Sequence, residues 1–252
     1  MLTSGAFMKL HVPVLATSFC LMSLHLIAQE PQRGPDSSTS YHVPGVDVLP
    51  VPGKPFSAKS RTEWTRKLED GSTVQQHLTA NLARDSQGRV YRERRSFMPG
   101  LSNEETRLTH IMIYDPVAKS QTICTVAVHK CVVSDYQAKT SFREMPAGPF
   151  DGGKRYLSRE SLGSSTMDGL EITGTRETIT VNPGTVGNEA PLVSTREFWY
   201  SAELQTNLAV TRKLPVEGLQ VVQLSDVNTN EPAAELFQAP AAFAIEDVRT
   251  TK

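Results

Sequence analysis

An excess of charge of either sign is missing from this 252-residue chain: 26 basic side chains stand against 27 acidic ones. That balance gives no support to nucleic-acid binding, which shows as a basic surplus or stripe. Apolar residues reach only 38%, which excludes a polytopic membrane protein. Glycine and proline, at 16 each, are ordinary, which excludes a collagen or low-complexity chain. Aromatics are thin at 7%, and cysteine is scarce, with three in all.

The one long apolar run lies at the start. Lys9 precedes residues 10–28, LHVPVLATSFCLMSLHLIA, and the chain then turns polar at once. A short basic region, an apolar stretch and a small boundary residue are the parts of a secretory signal peptide, here cut after Ala28. His11, Pro13 and His25 make residues 10–28 a poor membrane span. Phe19 stands where a small residue should precede a lipidated Cys20, which argues against a lipoprotein. The expected domains are therefore a signal peptide at 1–28, a proline-rich linker or arm at 29–55 and a folded domain at 56–252. The product is expected to be periplasmic or secreted.

Export to an oxidising compartment gives the two remaining cysteines, Cys124 and Cys131, a reason to pair. They close the arms TIC and CVVS, which read as a hairpin, and a disulfide there would pin its tip. A zinc site adding His110 and His129 is the sharper alternative, but it lacks any metal-ligand spacing. Two free thiols are the third reading.

Prolines 31, 35, 44, 50, 52 and 55 remove too many amide donors for residues 29–55 to form a helix or a central strand. Beyond them, period-two patterns dominate. Residues 73–84 alternate Val74, Gln76, Leu78, Ala80 and Leu82 with a polar set. Asp85 to Gly88 is a turn, with Gly88 at positive φ, and residues 89–98 return. Further strands are expected at 108–114, 121–126, 155–162, 170–181, 195–203, 207–214 and 219–227. Along 170–181 the apolar phase switches around Gly174, which predicts a bulge or bend there.

Helix is scarce. Ser102 and Glu105 form a capping-box pattern over 102–107, and residues 230–237 suit a short helix with Pro232 near its first turn. Residues 136–154 lack a period and form a long loop. The fold expected is mostly β: a single curved antiparallel sheet, half-barrel or open barrel, with one or two short helices.

Enzyme motifs fail one by one. Tyr136 and Lys139 have the wrong spacing for a Tyr-x-x-x-Lys pair. Gly152-Gly153-Lys154 lacks the rest of a phosphate loop, and Gly184 and Gly187 read as turn chemistry after Asn182-Pro183. Neither G-x-S-x-G nor H-E-x-x-H occurs. A triad built on His77, His110 or His129 has no motif behind it. No cofactor is called for. Arg84, Arg89, Arg92, Arg94 and Arg95 surround one hairpin; Arg92 and Arg94 on one face could meet an anion, or simply guard a strand edge.

The segments IMIYDPVAKSQT from Ile111, GTRETITVNPGTVGN from Gly174 and REFWYSAEL from Arg196 resemble an uncharacterised family of exported, β-rich bacterial proteins. The strand order and the ending Leu236-Phe237-x-x-Pro240 are similar to the LolA-like and RseB-like half-barrels. That resemblance implies binding of acyl chains or lipoproteins in an apolar concavity, with no ligand residue carried over by motif. The expected role is an envelope carrier module for an apolar or lipid-like ligand, lined by Val74, Leu78, Leu82, Leu208 and Val210 with Trp199. The alternative is a protein–protein interaction module using a sheet edge or the 136–154 loop. Trp199 and the Phe198/Tyr200 pair alternate, so only one side should enter the core.

Overall fold

A computed structural model describes residues 46–100, 106–136 and 145–250. The expected signal peptide at 1–28, residues 29–45, the expected Ser102/Glu105 cap and the middle of the 136–154 loop lie outside the described residues.

Fourteen strands follow in chain order: β1 (Phe56–Lys67), β2 (Thr73–Arg84), β3 (Val90–Arg95), β4 (Met98–Pro99), β5 (Leu108–Asp115), β6 (Ser120–Thr125), β7 (Lys130–Asp135), β8 (Gly148–Phe150), β9 (Arg155–Met167), β10 (Leu170–Val181), β11 (Leu192–Ser201), β12 (Thr206–Leu214), β13 (Gly218–Asn228) and β14 (Ala244–Asp247). They form one sheet in the order β14-β7-β6-β5-β3-β2-β1-β13-β12-β11-β10-β9-β8, with β4 on β2. Its two end strands do not meet, so the sheet is open rather than a closed barrel. Two meanders fan outward from a central seam, where β1 pairs antiparallel with β13.

The sheet curls strongly. Arg84 on β2 reaches the Leu204 carbonyl, between β11 and β12, at 2.5 Å. Three ladder steps separate β2 from β12, about 14 Å in a flat sheet, so only curvature brings them together. The concave face carries the even positions of β1 and β2: Phe56 and Ala58 opposite Arg84 and Leu82, then Ser60 and Thr62 opposite Ala80 and Leu78. Leu224 and Val222 continue that face on β13, and Leu208 and Val210 on β12.

No helix among the described residues covers this face. An extended segment at 46–50 does, sinking Val46 and Val48 into one core cluster with Phe56, Leu82, Val90, Leu208 and Leu224. On the convex face a smaller cluster joins Ala83, Tyr91 and Ile113 to Phe237 and Leu236. Arg89 stacks on the Phe237 ring at 5.0 Å and pairs with the buried Asp85. Gly88 closes the β2–β3 turn at φ +85, and its missing Cβ leaves room for the Pro50 carbonyl of the covering segment.

Two expectations need correction. The helix at 230–237 is only a 3-10 turn, Ala234–Phe237, and the other helical piece among the described residues is the 3-10 turn Val126–Val128. Ala233, at the start of the turn, has a non-helical ψ of 131 and offers no side-chain cap. Nor is the sheet wholly antiparallel: β14 lies parallel on β7, tied by Lys130–Glu246.

The bend at Gly174 is present as a register shift between β9 and β10. A Cβ on Gly174 would stand 2.8 Å from Leu162 Cβ and from the Trp199 ring. Gly174→Ala should therefore displace the indole, at a cost of about 1–3 kcal/mol. A shifted tryptophan emission maximum together with a lower unfolding midpoint would check this; unchanged emission would contradict it.

Candidate functional site

Strand register brings five of the six sequence candidates to one face. Leu82, Leu78 and Val74 descend β2 opposite Ala58, Thr62 and Arg66. Val210 lies opposite Val222, two residues along β12 from Leu208. Leu82, Leu208 and Val210 are buried beneath the covering segment, whereas Val74 is 37% exposed at the far rim. Trp199 has the opposite phase, facing Ala209, while Phe198 faces Val210. Both rings nonetheless pack against the core, beside a bulge that inserts Leu208 of β12 opposite the Trp199–Tyr200 step.

The cover is held by one buried cation. Arg84 donates through Nε to the Lys54 carbonyl at 2.8 Å, through Nη1 to Leu49 at 2.9 Å and through Nη2 to Leu204 at 2.5 Å. Its guanidinium also lies 5.1 Å from the Phe56 ring centre. Burial pushes its pKa down to about 10, so it remains charged at neutral pH. Asp47 adds an ion pair of 3.7 Å with Arg92, and its carbonyl accepts from Thr206 Oγ1.

The seam between cover and sheet is imperfect. A cavity of about 70 Å³ remains between Asp47, Val48 and Pro50 on one side and Val90, Arg92, Tyr114 and Tyr136 on the other. The Tyr114 and Tyr136 rings meet at a tilt of 42°, their centres 4.9 Å apart. Burial, reinforced by Tyr114, holds the Tyr136 phenol above its usual pKa.

Of the hairpin arginines, Arg92 and Arg94 do share the concave face, opposite Met112 and His110. Arg89 and Arg95 are engaged by Asp85 and Glu93. Burial and the neighbouring Arg94 depress the His110 pKa, while the His129 ring meets Phe243 edge-on. Among the described residues no group of three or more His, Cys, Asp or Glu side chains could hold a metal ion. Cys124 and Cys131 stand directly opposite on β6 and β7, fully buried, with Cα atoms 3.9 Å apart: a disulfide-capable pair, bonded in the structure. No helix among the described residues is long and apolar enough to cross a membrane.

The architecture is that of one open, curved sheet of β-strands. By structure the chain is similar to an uncharacterised conserved protein of Thermus thermophilus, at 10% identity over 77% of this chain and 91% of that one, with a TM-score of 0.42. It is similar to a chain of the Pseudomonas aeruginosa MucA/MucB complex, at 14% identity over 76% and 59%, with a TM-score of 0.35. LprF of Mycobacterium bovis matches at 13% identity over 75% and 90%, with a TM-score of 0.31. No family model matches the sequence, and no curated protein does either.

Proposed function

We propose that this chain is an exported envelope binding module that takes an apolar or lipid-like ligand on its concave face. One observation carries the reading. The apolar rows of that face are covered by an extended, unladdered segment that contributes only Val46 and Val48 to the core cluster. Exchanging this cover for an acyl chain breaks the Arg84 and Thr206 hydrogen bonds to its carbonyls but no strand ladder. The residual cavity at the seam fits a cover that is not fully complementary to the sheet.

The test is native mass spectrometry of protein purified from the envelope, before and after delipidation, followed by titration of the delipidated chain with the fluorescent fatty acid cis-parinarate. A lipid-sized adduct lost on delipidation, and saturable probe uptake strengthened by Val48→Ala, are expected. Absence of both adduct and uptake overturns the reading.

A second reading rests on the rim. β8 pairs with β9 only from Arg155 to Leu157, so residues 158–167 have no β8 partner. This edge favours a protein partner added as a strand. A partner captured by the native chain and lost in Ser164→Pro, with no lipid bound, would select it.

A further inference from the structure

The covering segment carries a charge between its two apolar anchors. Val46 and Val48 sink into the core cluster, while Asp47 faces Arg92 of β3 across 3.7 Å. That separation makes an ion pair but is too long for a hydrogen bond. Arg92 stands on the concave face directly opposite Leu82, a member of the same cluster. A carboxylate flanked by two apolar side chains thus lies where the apolar face meets a cation.

The cavity of about 70 Å³ adjoins this pair, with Tyr114 and Tyr136 in its wall. Its polar groups have donors to spare. Among the described residues the Arg92 guanidinium has Asp47 alone as an ion-pair partner and makes no hydrogen bond. The Tyr114 hydroxyl reaches only the Met112 sulfur, at 3.8 Å, a weak acceptor. The Tyr136 hydroxyl meets no described acceptor, and burial keeps it protonated at neutral pH. A water takes about 30 Å³, so the cavity has room for a carboxylate group and none for an acyl chain.

We infer that residues 46–48 stand in for the ligand, and that the ligand is an amphiphilic carboxylate whose tail replaces Val46 and Val48 and whose head group replaces Asp47 on Arg92. This rests on the concave-face reading above and adds to it a head-group chemistry and a built-in competitor. The exchange is charge-neutral, because one carboxylate leaves Arg92 as another arrives. A dianionic phosphate would leave the site negative. The incoming carboxylate, unlike Asp47, is not tied to the backbone, so it can close to hydrogen-bond distance on Arg92 and accept from the two phenols. Asp47, its side chain already 40% exposed, returns to water. At Asp47 itself the exchange gives up the 3.4 Å bond from Thr206 Oγ1 to its carbonyl and a further contact within the chain.

The test titrates the delipidated full chain at neutral pH with dodecanoate, dodecanol and acetate. Dodecanoate should bind about tenfold or more tightly than dodecanol, and Arg92→Met should bring the two within about twofold. Asp47→Asn weakens the competitor and leaves Arg92 in place. It should therefore tighten both amphiphiles by the same factor, about two- to fivefold. Thiol labelling of Val48→Cys, buried beneath the cover, should quicken when dodecanoate saturates the chain. Equal affinity for the two amphiphiles in the native chain overturns the head-group site and leaves the concave-face reading standing. An Asp47→Asn chain that tightens dodecanoate alone, or neither amphiphile, overturns the exchange, as does labelling that dodecanoate leaves unchanged. Acetate competing as strongly as dodecanoate reduces the cavity to a small-anion site and overturns the amphiphile. Failure of both amphiphiles to bind overturns both readings.

Discussion

Arg84→Met should destabilise the protein by about 2–4 kcal/mol and free residues 46–55 from the sheet. Methionine fills similar apolar space but leaves the carbonyls of Leu49, Lys54 and Leu204 without their donor. Each buried acceptor so orphaned costs on the order of 1–3 kcal/mol, and relief of a buried charge returns part of that sum. Against a total stability of roughly 5–15 kcal/mol the loss is large. Urea unfolding followed by tryptophan emission gives the magnitude, and amide exchange over residues 46–55 shows where protection disappears. If the midpoint moves by less than about 1 kcal/mol equivalent, Arg84 is not what holds the cover.

Glu93→Gln should cost about 2–3 kcal/mol, and it acts where the sheet splits. β3 pairs with β2 only from Leu82 to Arg84 and then departs toward β5. Glu93 bridges the gap: its buried carboxylate accepts from the Asn81 backbone at 2.9 Å, the Asn81 amide at 3.1 Å, the Tyr91 hydroxyl at 3.0 Å and Arg95 Nε at 2.8 Å. Thr106 fills the space beyond, donating to the Thr79 carbonyl and accepting from its amide. Glutamine would turn an N–H toward groups that are themselves donors.

The pH dependence has a definite sign. Burial alone would raise the Glu93 pKa, but hydrogen bonds from Arg95 and Asn81 outweigh it and leave the pKa below its ordinary 4.5. A folded-state pKa below the unfolded one gives stability that is complete above the unfolded value and lost as pH falls through the folded one. The urea midpoint of the native chain should therefore drop on acidification below about pH 5, and that of Glu93→Gln should drop less. Parallel pH profiles for the two proteins would remove Glu93 from the acid response.

Strands with one dry face were legible in the sequence. Residues 73–84 alternate cleanly and residues 170–181 alternate with one switch of phase, and the structure gives β2 and β10 those same bounds. The central strand was not. Four buried positions of β1 are Phe56, Ala58, Ser60 and Thr62. Half of them carry hydroxyls, so no apolar period marks residues 56–67. β14 was equally silent, because all four of its residues are exposed and its existence depends on the β7 edge.

At the candidate site, alternation correctly grouped Val74, Leu78 and Leu82. It could not show that Val46 and Val48, in a proline-rich stretch, would lie over them. The row of residues Gln76, Trp64, Gln220, Arg212, Arg196, Glu177 and Arg159, each opposite the next across the sheet, was invisible for a different reason. Its members come from seven strands between Trp64 and Gln220, and only register aligns them. Proximity in sequence drew attention instead to the arginines at 84–95.

The seam between β1 and β13 sets an order of events during synthesis. The first meander can form as soon as β7 leaves the ribosome, but β1 must then wait about ninety residues more for its second neighbour. Throughout that interval a twelve-residue strand presents a bare row of amides and carbonyls. The nascent chain is thus most exposed to mispairing with its own siblings at what becomes the middle of the finished sheet.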